Sequence, residues 1–122
     1  MRYIAIIYTL LLLTSCKGQN TAITTKIDIE ILRKEAIGKD VQLVDVRTAK
    51  EYNNGHIDDA INIDISNKDN FKQEVSKLDT SKPIFIYCHI GGRSHRASKI
   101  LETIGFKEVY DFSGGWKTWN QQ

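Results

Sequence analysis

The sequence predicts an α/β domain of about five strands in a mostly parallel sheet, with helices on both faces. Two observations carry that expectation. Short runs dense in β-branched and aromatic residues alternate with stretches of helical apolar period, the order in which crossover helices build a parallel sheet. The run opened by Pro83, Ile84 to Tyr87, then passes through a cysteine and a glycine pair directly into one such helical stretch.

Residues 1–15 stand outside this pattern. Arg2 precedes an apolar run from Ile4 to Leu13, shorter than the roughly 20 residues a spanning helix needs, and the segment has the order of a signal peptide. It ends in Leu13-Thr14-Ser15-Cys16, which resembles the lipobox of bacterial lipoproteins. That resemblance implies lipidation at Cys16, a tether over residues 16–22, a folded domain over residues 23–122 and a location in the bacterial envelope, outside the cytoplasm. The alternative is an ordinary secreted chain with a stray cysteine.

Within the domain, Ile23 to Ile27 has the character of an edge strand, and Asp28 can cap a helix in which Ile29, Leu32 and Ala36 share a face. Val41 to Arg47 is dense enough in β-branched residues for a strand covered on both sides. Thr48 can cap a short helix over Ala49 to Tyr52, Asn53-Asn54-Gly55 turns the chain, and Ala60 to Ile63 is a third short strand. Phe71, Val75 and Leu78 mark a helix between Asn67 and Leu78. After the central strand, Ala97, Ile100, Leu101 and Ile104 define a longer helix that Gly105 ends. Glu108 to Phe112 is the last strand. Ser113-Gly114-Gly115 then turns into Trp116 and Trp119, one helical turn apart and expected in the core, with the two glycines able to bring backbone close to the site.

The chemistry concentrates where the central strand meets its helix. Cys88 sits at a strand's carboxyl end facing a helix amino terminus, where unpaired N–H groups and the helix dipole favour an anion. A free thiol has a pKa of about 8.5 that such surroundings lower, so a reactive thiolate is expected. Gly91 and Gly92 can turn amides inward into an anion-binding concavity, and Arg93 adds a permanent positive charge. Asp45 and Arg47, near another strand's carboxyl end, are either supporting site residues or a structural ion pair. His56 is expected to be a satisfied loop histidine.

Composition narrows the rest. The formal charge of the 122-residue chain is +2, and its basic residues are scattered rather than striped, which argues against nucleic acid as partner. The two cysteines are Cys16 and Cys88. With the first lipidated, neither a disulfide nor a multi-cysteine zinc site can form, and no metal is expected.

Three blocks together resemble a single-domain rhodanese, a sulfurtransferase module. They are Leu43-Val44-Asp45-Val46-Arg47 with Glu51-Tyr52, Gly55-His56-Ile57 and Ala60-Ile61-Asn62-Ile63; Tyr87 through Ser94; and Gly114-Gly115-Trp116. Asp59 stands where such domains usually carry glycine, a departure expected to affect only the turn. The resemblance implies that Cys88 is the nucleophile and persulfide carrier and that His89, Ile90, Gly91, Gly92 and Arg93 form the loop around its sulfur. Arg93 would hold that loop and help bind an anionic donor, with Ser94 beside it.

It also implies a small sulfur donor such as thiosulfate, a thiol or cyanide acceptor, no cofactor, and a monomer that meets the membrane only through its lipid. Two other readings remain: a non-catalytic binding module, or a cysteine phosphatase or arsenate reductase. The latter places arginine six positions after the cysteine, whereas Arg93 is five after Cys88, a tighter loop suited to one sulfur atom.

Overall fold

A computed structural model describes residues 23–122 of the chain. Its elements are β1 (Ile23–Ile27), α1 (Ile29–Glu35), β2 (Gln42–Asp45), α2 (Ala49–Asn53), β3 (Ile61–Asn62), α3 (Lys68–Val75), β4 (Ile84–Tyr87), α4 (Gly92–Ile104), β5 (Glu108–Phe112) and α5 (Gly115–Trp119). The proposed signal peptide, Cys16 and the tether lie outside the described residues. The strands form one sheet in the order β1-β5-β4-β2-β3, and every neighbouring pair is parallel rather than mostly so.

β4 takes the central place, and all four of its residues are buried. Alternation along it divides the core into two layers. Ile84, Ile86 and Cys88 pack with Phe71 and Val75 of α3 and Ala97 and Leu101 of α4 on one face. Phe85 and Tyr87 pack with Leu32, Ala36 and Phe112 on the other, against which the tryptophans of α5 rest half-buried. Each such large side chain taken fully from water contributes about 1.5–3 kcal/mol, which is why the central strand's position is fixed so firmly.

The helix starts follow from their capping residues. The side chains of Asp28, Thr48 and Asn67 accept the N–H groups of Ile31, Glu51 and Asn70. At Thr48 the cap is reciprocal, with the Glu51 carboxylate accepting the Thr48 N–H. The turn with the unusual Asp59 takes its left-handed conformation one residue earlier, at Asp58 (φ 47°), whose carboxylate accepts the Gly38 N–H at 3.0 Å. An aspartate tolerates that conformation better than most side chains.

Because all five strands run the same way, their carboxyl ends meet along one edge of the sheet, and the loops after β2, β4 and β5 converge there. The chain enters β1 at the opposite edge.

Candidate active site

β4 delivers Cys88 to the carboxyl edge, and the chain turns through His89 and Ile90 into α4. The turn is made at Gly91, with φ of 100°. No side chain fits there, since a Cβ would stand 2.7 Å from the Ser113 carbonyl oxygen. This conformation aims the Gly91 amide back at the cysteine, and its N–H donates to Cys88 Sγ at 3.0 Å. The sulfur thus sits at the amino terminus of a 13-residue helix, where negative charge is favoured. On its inner side the Cys88 thiol donates to Ser94 Oγ at 3.6 Å, and that hydroxyl donates to the Gly91 carbonyl at 3.2 Å.

Above the sulfur opens a cavity of about 420 Å³ lined by Cys88, His89, Ile90, Gly92, Arg93 and Arg96. Cys88 is 1% exposed and forms part of its floor, while Ile90, 66% exposed, stands at its rim. α5 holds the loop from below: the N–H groups of Trp116 and Lys117 donate to the carbonyls of Cys88 and His89 at 2.8 and 3.1 Å. Gly115 permits this approach, because a Cβ there (φ 62°) would lie 2.6 Å from the Cys88 carbonyl oxygen and 2.5 Å from that of His89.

Arg93 holds the loop from the side. Its two terminal nitrogens donate to the two carboxylate oxygens of Glu51 at 2.6 and 2.9 Å, joining α4 to α2. The Arg93 hydrogen bond is the main reason the Glu51 carboxyl is held down to about 2, and the same bond raises the Arg93 pKa. The guanidinium charge is therefore largely matched by Glu51. Arg96, one turn further along α4, is exposed and has no carboxylate partner among the described residues.

Asp45 and Arg47 lie on the other side of the sheet. They are 0% and 2% exposed and paired at 2.6 Å, and Arg47 also donates to the Gly55 carbonyl at 2.7 Å. Its guanidinium lies over the rings of Tyr87 and Trp116, 5.8 and 4.9 Å from their centroids. Burial works against the Arg47 charge, but hydrogen bonding and attraction to Asp45 outweigh it and its pKa rises. The pair ties β2 to the Gly55 turn and α5 and does not line the cavity over Cys88. His56 stacks on Tyr52, with ring centroids 3.9 Å apart, and its Nδ1 lies 3.2 Å from the Tyr52 carbonyl oxygen, which makes it a loop histidine with its contacts made.

Of the residues singled out in the sequence, the structure brings Cys88, His89, Ile90, Gly92 and Arg93 around one cavity and places Gly91 and Ser94 against the sulfur. It sets Asp45 and Arg47 apart as a buried support. Three residues were given no role there. Glu51 had a readable signal, the Thr48-x-x-Glu51 capping pattern. Arg96 follows Arg93 at the i,i+3 spacing that puts both on one helix face. Asp111, a buried acid in β5, carries no sequence signal at all.

Comparison with known proteins agrees with this geometry. The family model described as rhodanese-like domain matches residues 28–122. A thiosulfate sulfurtransferase, GlpE, of Shewanella oneidensis is 36% identical over 83 residues, which is 68% of this chain and 79% of that protein. The tRNA uridine(34) hydroxylase of Pelagibacter ubique is 40% identical over 77 residues, 63% of this chain but only 26% of that longer protein. Among solved structures, a rhodanese-like domain protein from Staphylococcus aureus superposes with a TM-score of 0.68 at 28% identity, covering 78% of this chain and 90% of its own. With its five parallel strands, its cysteine at the end of the central one and a family match running from Asp28 to the last residue, the chain belongs to the rhodanese-like domain family.

Proposed function

We propose that the protein is a sulfurtransferase that carries sulfane sulfur on Cys88. The observation that supports this most directly is the Gly91 N–H donating to Cys88 Sγ at 3.0 Å beneath an open cavity. An ionised sulfur at this position keeps that hydrogen bond and gains from the helix amino terminus.

In the first step the Cys88 thiolate attacks the outer sulfur of thiosulfate or a similar donor. A new S–S bond forms, the donor's own S–S bond breaks, and sulfite leaves with the bonding pair. The terminal sulfur of the resulting persulfide carries the negative charge into a loop of main-chain amides, which stabilise it as an oxyanion hole stabilises oxygen. A thiol or cyanide acceptor then attacks that outer sulfur and regenerates the Cys88 thiolate. Arg93, occupied by Glu51, keeps the loop in shape; Arg96 is the cation with capacity left for an anionic donor. The sequence of residues 1–16 supports attachment of this activity to the bacterial envelope through lipid on Cys16.

The test is to treat the full chain with thiosulfate, weigh it, and follow turnover with cyanide and with thiol acceptors. A gain of one sulfur atom that Cys88→Ala abolishes, together with turnover, is the expected result. A chain that takes up no sulfur is a binding module, and an aryl phosphatase activity dependent on Cys88 would favour the phosphatase reading.

A further inference from the structure

Among the described residues the sulfur of Cys88 has two hydrogen-bond partners, the Gly91 N–H at 3.0 Å and the Ser94 hydroxyl at 3.6 Å. The first serves every charge state of the sulfur, because an amide N–H only donates. The second depends on the charge. A thiol donates to Ser94 Oγ, but a thiolate has no proton to give, so this contact survives ionisation only if the hydroxyl donates instead. Ser94 has a single proton to donate, and beside the thiol it is given to the Gly91 carbonyl at 3.2 Å. That carbonyl has a second donor in the His95 N–H at 3.1 Å. The hydroxyl is therefore free to turn away without leaving the carbonyl unpaired.

We propose that Ser94 is a second catalytic residue, whose hydroxyl turns from the Gly91 carbonyl to Cys88 Sγ each time that sulfur becomes a thiolate. In forming the nucleophile, the S–H bond of Cys88 breaks and its proton leaves to solvent through the open cavity. The O–H bond of Ser94 stays intact and only rotates about Cβ–Oγ, so nothing is oxidised or reduced. Once the donor's outer sulfur is bonded to Sγ, that atom is neutral and the hydroxyl returns to the carbonyl. When an acceptor takes the outer sulfur, the bonding pair comes back to Sγ and the hydroxyl turns to meet it. A hydrogen bond to an ionised group is about twice as strong as one between neutral groups, so the exchange of partners favours the thiolate. Ser94 is 0% exposed, which keeps bulk water from competing for the hydroxyl. The charged and titratable groups nearby are His89, Arg93 and Arg96 on the cavity wall, His95 on α4 and Asp111 in β5 beside Ile86, and none of them is bonded to the sulfur. β2 and α3 pack against it with apolar side chains.

The inference rests on Cys88 being the nucleophile, but its test reads the thiol without requiring sulfur transfer, so the two can fail separately. In the full chain, the rate of Cys88 alkylation by neutral iodoacetamide is measured against pH in the wild type, Ser94→Ala and Ser94→Thr, with a thermal midpoint for each. Ser94→Ala removes the donor and is expected to raise the alkylation midpoint by about one pH unit, making alkylation several-fold slower on the acid limb. Ser94→Thr keeps a hydroxyl and is expected to restore most of that shift, which loss of packing alone would not explain. An alkylation midpoint that stays or falls in Ser94→Ala overturns the proposal. So does a Ser94→Thr chain of wild-type thermal midpoint that titrates like Ser94→Ala. If Ser94→Ala fails to fold, Ser94→Gly takes its place with the same expected rise, and an unmoved midpoint there overturns the proposal equally.

Discussion

Arg93 grips Glu51 with two N–H···O contacts, 2.6 and 2.9 Å long, across 42 positions of the chain. This clamp joins the helix that follows the cysteine loop to the short helix capped by Thr48, and it gives the stability of the site a dependence on pH. The Glu51 carboxyl is held down to about 2 from its ordinary 4.5, so its contribution is fully present above the ordinary value and is lost as pH falls from about 4.5 toward 2. Glu51→Gln should therefore flatten the acid limb of the stability curve in that window. Thermal midpoints taken at several acid pH values for both chains would show two parallel curves if the clamp contributed nothing.

The two arginines over the cavity should separate by kinetics. Arg93→Gln removes the clamp and is expected to lower turnover and the thermal midpoint together. Arg96→Gln is expected to raise KM for thiosulfate several-fold with the thermal midpoint unchanged, because Arg96 is exposed and holds no carboxylate among the described residues. Steady-state assays over a range of salt would sharpen the contrast, since screening weakens an exposed charge far more than a partly buried pair.

Gly115→Ala should loosen the loop from beneath. Its Cβ would press on the carbonyls of Cys88 and His89 from a left-handed φ, and the backbone of α5 would have to withdraw. A loss of about 1–3 kcal/mol is expected from strain of this kind, with a fall in persulfide formation. Urea unfolding and mass after thiosulfate treatment measure the two effects.

Breaking the buried pair should be costlier. Arg47→Ala leaves the buried Asp45 carboxyl, 0% exposed, without the guanidinium it pairs with, a change worth about 3–5 kcal/mol. It also removes the cation that Tyr87 and Trp116 face. Urea denaturation at neutral pH gives the value, and a loss under 1 kcal/mol would mean that water replaces the guanidinium.

The order of elements and the place of Cys88 were legible because each follows from local pattern. Asp28, Thr48 and Asn67 cap where such residues cap, and the unbroken apolar run of β4 requires cover on both faces. The parallel direction of every strand followed in part from the alternation of strands and helices, while the strand order had to be seen. The ion pair of Asp45 and Arg47 is two residues apart in sequence, so its possibility was readable, but its separation from the cysteine depends on which side of the sheet odd-numbered residues of β2 face. The partnership of Arg93 with Glu51 is invisible in sequence for the opposite reason: it spans two helices brought together only by the converging loops. Asp111 was silent because an acid inside a short strand looks the same whether it faces water or the core.

The direction of the sheet has a last consequence. Cys88 stands at the edge where the strands end, and β1 begins at the edge where they start. Anything fastened ahead of Ile23 therefore pulls on the far side of the domain, so a chain moored to a surface through that end would turn its sulfur outward, toward whatever diffuses past.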